Sequence, residues 1–381
     1  MSTRLKTDWP LFTATMLILA FGLVMVYSAS SVVAEVMQGK QNWTYAARQL
    51  GFAVIGLMMM FGMKRLDYTR LQHPLWIWLP FSVVGVLLVA VIWADPNAHR
   101  WFRFAGVQFQ PSELAKPAII LFLAWFVSRR ENKVIDRYTL APAALVVGGL
   151  TTLIAWGDLG TAAIVLVPAA VVFFVAGIER KYFYMTLVLG LCLTLFFLWQ
   201  KPYRLFRIMA FCGITEQTIH ETPALKWIEP HLAASKAARD ADHQPRQARI
   251  ASGSGGITGV GLGRSYQKLG FLPEAHTDFI YAVIAEETGL VGAIALLAGY
   301  LVVFWRGFRL YWTAHDAFGR YLALGCVSLI VAQALFNMSM VISILPTKGI
   351  PLPLVSYGGS ALVCTMITFG LMMSVSERAA D

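Results

Sequence analysis

The sequence is poor in charge. Of its 381 residues only 14% are Asp, Glu, Lys or Arg, against 57% apolar, and the mean hydropathy is +0.62. A soluble domain carries roughly a quarter of its residues charged, so an ordinary water-soluble fold is excluded. Acidic residues are the scarcer sign, 21 against 31 basic, for a net charge of +10. Cysteine is also sparse. Cys192, Cys326 and Cys364 fall in apolar runs and Cys212 stands alone in a polar stretch, so neither a disulfide framework nor a CxxC metal pattern is available.

Long apolar runs are what the chain does have. Windows near 11–30, 49–63, 75–93, 114–128, 140–156, 160–177, 183–199, 279–305, 320–342 and 356–375 each suit a bilayer crossing. The stretch 140–177 is too long for one helix, and WGDLGT, with two glycines and Asp158, divides it into a tight hairpin. Residues 11–27 follow Arg4 and Lys6 and precede SASS, as a cleavable signal peptide would. Their length equally suits a spanning helix, and they are read as an uncleaved first one. The expectation is an all-α polytopic membrane protein of about ten transmembrane helices. It forms a single integral membrane domain, 1–381, with a large extracytoplasmic loop, 200–277, between helices 7 and 8.

With the N-terminus cytoplasmic, the short inner segments hold fifteen Lys and Arg and the short outer segments six, which places both termini in the cytoplasm. The long loop holds ten more, and loops of that length escape the orientation rule. Its charge suits anionic lipid headgroups or a phosphate-bearing substrate. Nucleic acid is not expected on the outer face of a membrane.

The polar groups gather on that outer side. In HRWFRFAGVQFQPSELAKP (99–117), Arg100 and Trp101 precede a helix whose Glu113 and Lys116, three apart, share a face and can pair. From spacing alone this is an interfacial anchor with a self-neutralising pair. The seven glycines of ASGSGGITGVGLGRSYQKLG (251–270) could form an anion-binding nest beside Arg264 and Lys268, or a re-entrant loop. In FLPEAHTDFIYAVIAEETG (271–289), Asp278 or Thr277 is placed to N-cap a helix. Glu286 would lie some 80° around that helix from Asp278 and roughly 12 Å further in, with Glu287 on the opposite side, so the three acids cannot form one cluster. Last, LPTKGIPLPLVSYGGSAL (345–362) is too rich in Pro and Gly to be helical before about Ser356, and reads as a re-entrant outer loop offering Lys348.

Five stretches taken together, GLVMVYSAS (22–30), RWFRFAGVQFQPSELAKP (100–117), GDLGT (157–161), GSGGITGVGLGRSYQKLGFLPEAHTDFIYAVIAEETG (253–289) and LPTKGIPLPLVSYGGS (345–360), resemble the SEDS proteins of bacterial shape, elongation, division and sporulation. The likeness runs from about residue 8 to 378, with the motifs in family order. It implies a ten-helix glycosyltransferase of the bacterial inner membrane that polymerises lipid II into glycan strands at the outer face. Its implied partners are a class B penicillin-binding transpeptidase, other division-machinery membrane proteins and membrane lipids. The motifs are most similar to the division branch, with a septal location, and Ile350-Pro351 is closer to the elongation branch.

Residue by residue, the resemblance makes Asp278 the catalytic acid. It assigns Arg100, Trp101, Glu113, Lys116, Asp158, Gln247 with its neighbour Gln244, Arg264, Lys268, Lys348 and Ser356 to substrate. No cofactor is required by it, and a divalent cation, Mg or Mn, travelling with the lipid pyrophosphate is left open. Glu286 and Glu287 are assigned to structural support. Two departures stand out: Trp156-Gly157 replaces the family's Gln-Pro before Asp158, and the segment 212–247 is longer than the family's. A lipid-linked-sugar flippase and a noncatalytic scaffold are the alternatives from other functional classes. The absence of a clear inverted repeat and the crowding of polar groups on one face disfavour transport.

Overall fold

Backbone groups inside a bilayer have no water to bond, so the chain satisfies them within helices. A computed structural model describes residues 7–37, 39, 41–95, 99–104, 107–130, 137–200, 207–209, 211, 212, 214 and 236–379. Its helices are α1 (Trp9–Val32), α2 (Thr44–Arg65), α3 (Pro74–Ala94), α4 (Pro111–Ser128), α5 (Arg137–Gly157), α6 (Leu159–Val175), α7 (Arg180–Gln200), α8 (Lys236–Ser254), α9 (Ile280–Thr313), α10 (Ala317–Val341) and α11 (Gly359–Arg378). A two-stranded hairpin, β1 (Phe102–Phe104) and β2 (Val107–Phe109), precedes α4.

Eight of these helices are long and apolar enough to cross a membrane, and the shorter apolar pieces Ala141–Gly157 and Leu159–Val175 complete ten among the described residues. The ten match the ten apolar windows. The polar helix α8, interrupted by Pro245, lies within the long loop, where the sequence reading placed no helix. Most of 201–235, including much of the longer segment, lies outside the described residues.

The chain's two ends meet at one face of the bundle. Asp8 caps α1 by accepting from Leu11 N (3.1 Å) and pairs with Arg306 near the end of α9 (2.7 Å). Lys64 bridges Thr7 (3.0 Å) and Glu377 (3.1 Å), while Asp316 accepts from Tyr68 and Gln72 at 2.6 and 2.8 Å. Between the two faces α10 is the central packing element, in contact with α4, α6, α9 and α11. α11 and α2 approach closely because Gly56 leaves room for Met366 and Gly370 for the Met60 backbone. α7 turns most of its surface outward, as a lipid-facing helix does.

One helix is broken at membrane depth. Within α9, Gly289 adopts φ 65° and ψ −165°, which ends one helical segment and starts the next. The freed carbonyls of Glu286 and Glu287 accept from Val260 N and Gly261 N, each at 3.0 Å. On the far side, Leu290 N and Val291 N donate to the carbonyls of Gly256 (3.0 Å) and Ile257 (3.2 Å). The glycine stretch is therefore a backbone splint for the break, not an anion nest: two of its amides are spent on helix carbonyls. A side chain at Gly255, Gly259 or Gly289 would strike the opposing backbone.

Gly289→Ala is accordingly expected to destabilise the protein by at least about 2 kcal/mol, combining a left-handed conformation with a backbone clash. Gly253→Ala, inside α8 with nothing near the added methyl, is expected to be neutral or slightly stabilising. Thermal unfolding of the two variants in detergent measures the difference.

Candidate active site

The end of the bundle opposite the paired termini collects the interrupted segments. α5 stops at Gly157, and Asp158 caps α6 by accepting from Gly160 N (3.0 Å) and Thr161 N (3.3 Å), with the Thr161 hydroxyl at 2.8 Å. The substituted Trp156-Gly157 pair leaves this turn intact. The absence of a side chain at Gly157 admits the His99 carbonyl and the Arg100 chain, and Arg100 Nη2 pairs with Asp158 Oδ2. Asp95 Oδ2 holds that loop by accepting from the amides of Arg100 and Trp101, both at 3.3 Å. Arg100 Nε is buried without a hydrogen-bond partner among the described residues.

Asp278 sits beside this pair. It does not cap α9: Phe279 is the cap residue and no side chain bonds the first amides. A turn set by the Glu274 carbonyl, which accepts from Thr277 N and Phe279 N at 3.2 Å each, delays the helix start by one residue. The Asp278 carboxyl is thereby spared from helix amides. It lies against Gly349, where a methyl would come within 2.7 Å of Oδ2, so the 345–358 loop packs directly on it.

That loop is stitched to the Asp278 segment. Tyr357 N donates to the His276 carbonyl (3.0 Å), and Ser356 Oγ donates to the Thr277 carbonyl (2.6 Å) while accepting from Leu352 N (2.7 Å). Asn337 Nδ2, from α10, donates to the carbonyls of Asp278 (2.8 Å) and Ile350 (2.7 Å). Ile350 also touches Gly160 in the Asp158 turn. Ser356 thus has a backbone-organising place, and Asn337 belongs to the site although the sequence reading passed over it within an apolar run.

The charges act on one another. Burial raises the Asp278 carboxyl, as do Glu274 and Asp158, against the lowering pull of Arg100 and Arg207, and it stands at about 7. Burial would also raise Asp158, but Arg100, the two Thr161 hydrogen bonds and Lys348 hold it below the usual 3.8. Arg100, Asp158, Lys348 and Asp278 therefore form one electrostatic group. Among the described residues no three His, Cys, Asp or Glu side chains gather as a metal site.

The other expected substrate residues are elsewhere. Lys116 Nζ is buried between Glu113 Oε1 (2.7 Å), Glu113 Oε2 (2.8 Å) and Gln333 Oε1 (3.0 Å). Lys268, 2% exposed, donates to Glu287 (2.7 Å) and Ser28 (3.2 Å), so its charge is neutralised inside the bundle. Glu287 also accepts from Ser28 at 2.6 Å, and Glu286 from Tyr266 N at 2.9 Å. Both glutamates thus secure the segment 265–268, in line with the support role expected of them. Arg264 is exposed, and Gln247 on α8 faces His243 at 3.5 Å.

Residues 8–381 match the family model of the FtsW, RodA and SpoVE cell cycle proteins. The chain is 37% identical to a probable peptidoglycan glycosyltransferase FtsW of Geobacter metallireducens, covering 94% of this chain and 91% of that one. It is 33% identical to the stage V sporulation protein E of Bacillus subtilis, with 98% of each covered. Among solved structures it is similar to a chain of a peptidoglycan synthase complex (TM-score 0.73, 26% identity, 98% of each chain covered). It is also similar to the rod shape determining protein RodA of Thermus thermophilus (TM-score 0.66, 26% identity, 99% of each). The fold and the site are those of a polytopic membrane protein of cell-wall synthesis. The chain belongs to the FtsW/RodA/SpoVE family of cell cycle proteins.

A raised carboxyl has a consequence for stability. Between the unfolded value near 3.8 and the folded value of about 7, the folded state binds the extra proton, so stability falls as pH rises through that window. Asp278→Asn removes the loss. Its melting temperature is expected to exceed that of the wild type progressively from pH 4 to 7 and to level off above. At about 1.4 kcal/mol per pH unit between the two values, the gain reaches at most about 4 kcal/mol above pH 7. An equal offset at every pH would contradict the assignment.

Proposed function

We propose that the protein is a peptidoglycan glycosyltransferase that polymerises lipid II at the outer face of the cytoplasmic membrane. It serves septal synthesis together with a class B penicillin-binding transpeptidase, with both termini in the cytoplasm. The observation that carries this reading is Asp278, poised near pH 7 against the Lys348-Gly349 turn and beside the Arg100–Asp158 pair. Its relatives' names and its motif order support the same activity.

Chain growth joins a sugar hydroxyl of one molecule to the anomeric carbon of another and expels undecaprenyl pyrophosphate. A base at the acceptor hydroxyl is most effective with a pKa near the working pH, which burial gives Asp278. Arg100 and Lys348 supply positive charge where the pyrophosphate departs. Asp158 keeps the Arg100 guanidinium in place. A single inverting displacement asks for one base and no nucleophilic carboxylate, a role Asp278 fills alone.

The break in α9 is the feature that would favour a transporter, since discontinuous helices line many transport sites. Here its backbone groups are splinted by residues 256–261, and Glu287 beside it is neutralised by Lys268.

Purified protein with its transpeptidase and labelled lipid II is expected to make long glycan strands; no polymer from the wild type would overturn the reading. Asp278→Asn should lose about 100-fold or more of the rate. The wild-type rate should climb with pH to a plateau, with an inflection near 7 as Asp278 loses its proton. Arg100→Met removes a cation that lowers this carboxyl, so the inflection should move to higher pH.

A further inference from the structure

Two amide side chains one turn apart on α10, Gln333 and Asn337, lie inside a helix that is otherwise apolar at this depth, and both are buried. A polar group in such a place is costly unless it has a task. Their hydrogen bonds define the task. Lys116 can only donate, so Gln333 must turn Oε1 to it and Nε2 to the Pro351 carbonyl, which it meets at 2.8 Å. Both partners of Asn337 are carbonyls, Asp278 and Ile350, so its amide nitrogen faces them with both N–H groups used.

The chain that results begins at the Glu113–Lys116 ion pair, passes through Gln333 to Pro351, and through Asn337 ties Ile350 to Asp278. Within the segment 350–353, which includes two prolines, the Leu352 carbonyl is taken by Val355 N and Ser356 N and the Pro353 carbonyl by the Tyr300 hydroxyl, while those of Ile350 and Pro351 are held by Asn337 and Gln333. Asn337 Oδ1 is buried without a partner among the described residues, a cost that keeping the two N–H groups directed at the carbonyls offsets.

From this geometry we infer that Gln333 and Asn337 are positioning residues for the polymerase reaction, holding Asp278 and the Lys348-Gly349 turn in register from beneath. The inference rests on the glycosyltransferase reading. A fixed base and a fixed cation raise the rate by alignment, and a displacement of about 1 Å can cost about 100-fold. Both amides bond backbone carbonyls, and neither makes a hydrogen bond to the carboxyl of Asp278 among the described residues.

Asn337→Leu and Gln333→Met keep the volume and remove the donors. With folding verified by thermal unfolding, each is expected to lower kcat about 10- to 100-fold while KM for lipid II stays within about threefold. Gln333→Glu retains the acceptor for Lys116 but not the donor to Pro351, and should resemble Gln333→Met. Wild-type kcat in the folded variants, or a raised KM at unchanged kcat, would overturn the inference while active wild type and inactive Asp278→Asn left the polymerase reading standing. An inactive wild type would instead remove that reading. If Asn337→Leu does not fold, Gln333→Met decides by the same criteria.

Discussion

Every peptide group taken out of water must find a partner within the protein, and the architecture of this chain follows from where helices cannot supply one. Among the described residues three such places stand out: the break at Gly289, the turn at Asp158 and the proline-rich loop 345–358. Each is answered differently. The break is splinted by another stretch of backbone, the turn by a capping carboxylate, and the loop by side-chain amides and hydroxyls from neighbouring elements. The last two meet at Asp278, so the region where regular structure fails is also the region with chemistry to offer.

Three of the four acids in residues 271–289 illustrate how placement sets character. Glu287 has a lysine and a serine, and Glu286 a serine hydroxyl and a backbone amide. They are bound into the bundle and hold it. The carboxyl of Asp278, two residues before the helix begins, has no hydrogen bond among the described residues, and burial raises its proton affinity. Buried ion pairs contribute little net stability against their desolvation, but removing one partner leaves an uncompensated charge, so Lys268 and Glu287 are constrained to each other.

The ten crossings were legible because apolar length is a local property, and the WGDLGT hairpin because glycine and a capping aspartate occur together. What escaped depended on residues far apart. The glycines of 251–270 promise an anion nest only while the break at Gly289 is unknown, and Gly289, one of two glycines in AEETGLVG, looks like one tolerated inside a helix. Lys116 and Lys268 have the composition of substrate contacts, but their partners Gln333 and Ser28 are 217 and 240 residues away. Asp278 looked like a cap because its type and position suit one. The turn organised by Glu274, together with contacts from Gly349 and Asn337, moved the helix start past it. Gln333 and Asn337 did leave a trace, as amides spaced four apart in VAQALFNMSM, which puts both on one helix face.

The splint across α9 is made of backbone alone. It asks of the sequence three missing methyl groups, at Gly255, Gly259 and Gly289, and almost nothing else. Ile257, Leu290 and Val291, which contribute peptide groups to it, turn their side chains outward and are 70%, 55% and 60% exposed. The identity of those side chains is thereby uncoupled from the integrity of the helix, and the outer contour of the protein at this level can change in shape and greasiness while the break beneath it stays closed.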